Sequence, residues 1–234
     1  MTTPGITPNP EPASAAFCQS LLLETQLSPL LGNHANFADD PDVSAALVNI
    51  RGKAKTAAEK LALITKDLTV TSPVRNHNAF KVATDLTDAA EATQHFLTNR
   101  AREYATMADK LVTDKFVPNE KRLFLYDRIS SWVAREAKNS DGGYGNISEA
   151  ITTNSDFAMV MYNFPHQLLD LPFDQFVKFR MKVVDHWVPQ AKRALDTSTK
   201  LDEIAKRYPA FCERVHKAFY FGPELAKMRT RFNG

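Results

Sequence analysis

Apolar residues recur every three or four positions along much of this chain, and the most regular run lies between residues 43 and 68. Val43, Leu47, Ile50, Ala54, Ala57, Leu61, Ile64 and Leu68 alternate spacings of four and three. That 3.5-residue period predicts one helix with a continuous sticky stripe. Asp39 or Asp40 is placed to cap it, and Pro41 suits its first position, where a missing N–H costs nothing. Thr69–Asn76, with Ser72-Pro73 inside, interrupts the pattern. A second pattern runs through Ala83, Leu86, Ala90, Leu97, Ala101, Tyr104, Ala108 and Leu111, predicting a helix over 77–116 that loses register near Thr98-Asn99. A short connection between two amphipathic helices favours antiparallel packing, so a long helical hairpin is expected.

The remaining segments read as shorter helices. Residues 13–31 form a first helix weakened at Pro29. Residues 119–138 form a strong helix packed on the hairpin, with Leu125, Ile129, Trp132 and Val133 inward. Residues 147–232 break into shorter, more aromatic helices, one of which turns Phe173, Phe176, Val183 and Trp187 to its inner face. Residues 1–12, with Pro4, Pro8, Pro10 and Pro12, read as a mobile or disordered arm with little to bury. No period-2 alternation is long enough for a strand, and no internal repeat is evident. The fold class expected is an all-α multi-helix bundle without significant sheet: a disordered arm over 1–12, then a single helical domain over 13–234, with 43–138 as its long-helix core.

Composition strengthens that picture at one point. Only eight glycines occur in 234 residues, about half the usual ~7%, and a protein of many tight hairpins would need more. Charge divides the chain more sharply than the net +2 implies. Residues 1–50 hold five acidic and no basic side chains, 51–177 hold sixteen of each, and 178–234 hold thirteen basic against six acidic. An acidic entry and a basic exit either neutralise each other in the fold or address an anionic partner. Cys18 and Cys212 match no disulfide framework or metal spacing, and their apolar surroundings predict buried reduced thiols. The stretch Ala13–Leu23 is too short and too polar for a cleavable signal or membrane span, so a cytoplasmic location is the default, with export lacking a cleaved signal still compatible.

Candidate chemistry is sparse. Gly142-Gly143-Tyr144-Gly145 lacks the lysine and the helix-opening Ser or Thr of a phosphate loop; it reads as a connection between helices, or a flap presenting Tyr144. Glu213 and His216 form the only Glu-x-x-His, and Glu91 with His95, beside Asp88, makes a second helix-compatible pair, but the paired ligand set of a carboxylate-bridged bundle is incomplete. Asp185-His186-Trp187 diverges by about 100° per residue on a helix. Lys178, Arg180 and Lys182 interleave with Phe157, Tyr162, Phe164, Phe173, Phe176, Phe179 and Trp187, as in nucleic-acid grooves, although core packing explains most of those rings. The remaining candidate is a basic C-terminal set, Lys206, Arg207, Arg214, Lys217, Lys227, Arg229 and Arg231, as anion contacts.

No catalytic residue, metal or cofactor is expected from these patterns. The motifs match none of ferritin-like enzymes, helix-turn-helix regulators, helical viral nucleoproteins, tetratricopeptide arrays or helical pore-forming toxins. The expected function is a non-enzymatic helical scaffold or protein-binding module, self-association included. The alternative is an anion or nucleic-acid binder using the basic C-terminal helices, with a metal-dependent helical enzyme behind it.

Overall fold

The computed structural model describes residues 6–232, with side chains through residue 227. Among the described residues the chain is all-α: α1 (Pro12–Ser20), α2 (Glu24–Leu31), α3 (Pro41–Lys66), α4 (Ser72–Lys115), α5 (Leu123–Ala137), α6 (Gly143–Thr153), α7 (Ser155–Asn163), α8 (Phe173–Trp187), α9 (Pro189–Ala205), α10 (Tyr208–Phe219) and α11 (Gly222–Phe232), with single 3₁₀ turns at His34–Phe37 and Glu120–Arg122. These helices form two compact units. One comprises the chain through Arg100 together with the chain from Lys200 onward; the other is Ala101–Thr199.

The first unit is built on the hairpin. Asp40 accepts a bond from the Val43 amide at 3.2 Å and caps α3, Pro41 opens it, and Arg100 Nε lies 2.8 Å from the second Asp40 carboxylate oxygen. That pairing ties the start of α3 to Arg100 of α4. Further along, Ala46 and Ile50 face Ala89, Ala92 and Phe96 across a surface groove, and Thr56 and Lys60 face Val82. The register is therefore antiparallel. The loop is shorter than the sequence pattern implies. Ser72-Pro73 begins α4 rather than interrupting the chain, because proline at a first helical turn lacks only a donor that would be unsatisfied anyway. Nor does Thr98-Asn99 break α4, whose 44 residues span about 66 Å at 1.5 Å per residue.

The α3 stripe is core from Val43 to Leu61 and is covered within the chain. Leu47 and Ile204 both close on Gly32, whose φ of +92° and lack of Cβ allow the approach. The stripe ends early: α3 stops at Lys66 and Leu68 is 82% exposed. Beneath α2 the buried Arg51 guanidinium pairs with Glu24 and donates to His34 Nδ1 at 2.7 Å and Ser28 Oγ at 3.2 Å.

Residues 6–11, read from the sequence as part of a mobile arm, are seated on the end of α10. Thr7 Oγ1 donates to the carbonyls of Ala218 and Phe219 at 2.8 and 3.1 Å, and Asn9 Nδ2 donates to those of Lys217 and Tyr220 at 2.8 and 3.3 Å. The last carbonyls of a helix have no partner in the helix itself. Two polar side chains among the prolines supply it, which proline content alone could not reveal.

In the second unit, α5, α6, α7 and α8 pack around Tyr126, Ile129, Val133, Ile147, Ile151 and Phe179, together with Ala108 and Val112 of α4 and Phe116 just after it. Two inward assignments from the sequence fail here. Leu125 is 40% exposed and Phe173 62%; Tyr126 holds the inner face of α5, and α8 buries Phe176, Phe179 and Val183. Trp187 is partly buried and donates from its indole to the Ile151 carbonyl at 2.7 Å. The Gly-rich segment is a helix junction rather than a flap. Gly142 takes φ +92°, and a Cβ on Gly143 would sit 2.0 Å from the Glu136 carbonyl oxygen. Tyr144 lies edge-on to Phe179 at 6.0 Å.

Candidate functional site: an apolar groove on the second unit

Helix α8 carries two apolar stripes. Phe176, Phe179 and Val183 form the buried one. Phe173, Val177 and Met181, spaced i, i+4, i+8, form the other and stay in solvent, Met181 at 62% exposure. A helix repeats every 3.6 residues, so both stripes run its length on different faces. Beside the second stripe, α9 buries Ala191 and Ala194 but leaves Leu195 exposed.

Between α8, α9 and the last turns of α4 lies a groove of about 530 Å³. Ala108 and Val112 form its buried floor, and Val177, Met181 and Leu195 stand as apolar walls. Its charged groups are Asp109, Asp185, Asp196, Arg180 and Lys192, with the hydroxyl-bearing Tyr162 and Thr199 also in the lining. Both cations are engaged. The Arg180 guanidinium lies 4.5 Å from the centre of the Tyr162 ring, and Lys192 Nζ sits 2.8 Å from Asp185. That hydrogen bond raises the Lys192 pKa above the ordinary lysine value, with the charges of Asp185 and Asp196 adding to it. Asp109 and Asp196 form no salt bridge among the described residues.

The basic residues anticipated as anion contacts are placed differently. Lys206 pairs with Asp202 and Lys217 with Glu213, each at 2.5 Å, and Lys227 pairs with Glu224. Arg207 donates to the Pro29 carbonyl at 3.3 Å, and Arg214 lies 4.5 Å over the Phe17 ring. The side chains of Arg229 and Arg231 lie outside the described residues. An anion would have to compete with an internal partner at each of the other five.

The acid–histidine pairs do not assemble a site. Glu213 is held by Lys217, while His216 sits 3.4 Å from both Thr87 Oγ1 and Tyr220 Oη and beside Phe80. Asp88, Glu91 and His95 are exposed on α4. No three His, Cys, Asp or Glu side chains among the described residues converge as metal ligands. Asp185 turns to Lys192, away from His186, whose ring meets Trp187 edge-on at 5.2 Å. Burial pushes the Cys18 thiol up to about 12 and Cys212 up to about 11, which keeps both protonated and poorly nucleophilic near neutrality. Of the interleaved cations, Arg180 faces the groove, and Lys182 reaches Ser148.

Val177, Met181, Leu195, Asp109 and Asp196 were not singled out from the sequence. The signal is present in α8, which has more apolar positions than its one buried stripe uses. Among the described residues no helix is long and apolar enough to cross a membrane. No protein-family model, curated protein or solved structure matches the chain, so its function is read from its own side chains.

Proposed function

We propose that this protein is a non-enzymatic helical interaction module that binds a protein partner in the α8–α9 groove. The supporting observation is the solvent-open stripe of Val177, Met181 and Leu195 over a buried apolar floor. A lone exposed apolar side chain is ordinary on a protein surface; a contiguous set lining a concavity is the usual mark of a binding surface. Desolvating those side chains on a partner stabilises the complex by roughly 25 cal/mol per Å² of apolar surface removed from water, before the entropy of association is subtracted.

A photo-reactive phenylalanine analogue at position 181 in living cells tests this directly. Irradiation is expected to give discrete adducts of defined mass, with none from the same analogue at Leu63, an exposed position on α3. An adduct of twice the chain mass identifies the partner as a second copy. No adduct at 181, or the same adducts from both positions, overturns the proposal.

A further inference from the structure

We infer that the groove's occupant is an amphipathic helix with a basic flank. This rests on the protein-binding reading above and names the partner's chemistry. Three observations carry it.

The first is length. The groove is lined by residues 105–112 of α4, 177–185 of α8 and 192–199 of α9, about 11 Å along each helix, or two turns. Apolar anchors at i, i+3 or i+4, and i+7 of a docked helix cover that distance.

The second is backbone chemistry. All three walls are helices, whose backbone donors and acceptors are satisfied internally away from their ends. An extended peptide would find no sheet edge here, and its own N–H and C=O groups would be desolvated without partners. A helical ligand brings its backbone bonds with it.

The third is charge. Three carboxylates and two cations line the groove, and both cations are already engaged, Arg180 on Tyr162 and Lys192 on Asp185. Asp109 and Asp196, on α4 and α9, make no salt bridge among the described residues, although Asp196 adds to the field on Lys192. A helix presenting lysine or arginine beside its apolar stripe pairs with both, whereas an acidic helix meets like charge.

The test uses the full chain and three synthetic peptides of about fifteen residues, the length at which isolated helices become marginally stable. One carries leucines at i, i+4 and i+7 with lysines on both flanks. The second replaces those lysines by glutamates, and the third keeps the lysine composition but scrambles the leucine spacing. Fluorescence anisotropy is expected to show the lysine helix binding about tenfold or more tightly than the glutamate helix, with two favourable exposed pairs replaced by two repulsive ones. The scrambled peptide should bind weakly. Asp109→Lys with Asp196→Lys should reverse the preference, and Met181→Asp should abolish binding of both spaced peptides.

Equal binding of the scrambled peptide reduces the effect to diffuse charge attraction and overturns the inference. So does a lysine preference that survives the double aspartate replacement. If neither spaced peptide binds while the cross-link at 181 persists, the helix assignment falls and protein binding in the groove stands. If both the peptides and the cross-link fail, both readings fall.

Discussion

Gly143 and Gly145 lie two residues apart in the same glycine-rich segment, yet they obey opposite constraints. A methyl group on Gly143 meets the Glu136 carbonyl oxygen, a backbone atom that cannot rotate away, whereas one on Gly145 meets nothing within 4 Å. Gly143→Ala should destabilise the fold by about 1–3 kcal/mol through overpacking. Gly145→Ala should be neutral or stabilising by up to about 1 kcal/mol, since alanine is the better helix former. Urea denaturation of the two variants checks this, and equal effects would remove the packing explanation. The buried thiols give a prediction of similar grain. Their folded pKa values lie above the ordinary cysteine value of 9.0, so the folded state holds its protons longer than the unfolded chain. Their contribution is intact below pH 9 and is lost as pH rises from 9 toward 11 and 12, by up to about 1.4 kcal/mol per pH unit for each thiol while only the unfolded chain has lost its proton. Thermal midpoints should fall across that window, and Cys18→Ala with Cys212→Ala should flatten the decline even though it lowers stability near neutrality.

Among the elements, legibility followed the strength of the repeat. The α3 stripe was readable because its period is unbroken and its cap, Asp40-Pro41, stands in plain view. Reading failed where one residue type serves two local structures, or where packing decides between neighbouring positions. Pro73 looked like a breaker and is a helix opener; Thr98-Asn99 looked weak and is spanned by α4. The periodic pattern puts Leu125 inward with Ile129 and Phe173 inward with Phe176, but the turn of each helix leaves Leu125 and Phe173 exposed and gives the inner face of α5 to Tyr126. The segment containing Thr7 and Asn9 was the least legible, because its function as a cap depends on α10, some 200 residues away in sequence. Thr7→Ala should cost about 1 kcal/mol, as other helix-capping losses do, and Asn9→Ala a similar amount. Hydrogen exchange should accelerate at the end of α10 in both variants; unchanged protection there would show that the prolines alone hold the segment.

At the scale of the whole molecule, the candidate site uses surface that the fold does not need. Met181 and Leu195 are exposed while Val183, two residues from Met181, is fully buried. Met181→Asp with Leu195→Asp should therefore leave the thermal midpoint within about 2 °C of the parent, as surface changes within ±0.5 kcal/mol do. Val183→Asp should unfold the second unit or lower its midpoint severely by burying an unpaired charge. If the two exposed replacements proved as damaging as the buried one, the groove would be part of the core and not a surface for a partner. The periodic pattern places Val183 inward but Phe173 with it; both stripes of α8 are apolar, and the neighbours α6 and α7 decide which one is covered.

The division of the chain has a consequence for its synthesis. The first unit draws on residues before 101 and after 199, and its Thr7–Ala218 bond joins positions 211 apart in sequence. Ribosomes release a chain from its beginning, at roughly 5–20 residues per second. Helices α1 and α2, which pack on α10, therefore wait for it to emerge, while residues 101–199 have all their core partners sooner. The middle of the polypeptide is expected to become protease-resistant before its beginning does, and pulse proteolysis of nascent chains should record that inverted order. During that interval the faces of α1 and α2 that α10 covers are exposed, so this is the stage at which a growing chain is most open to chaperone binding.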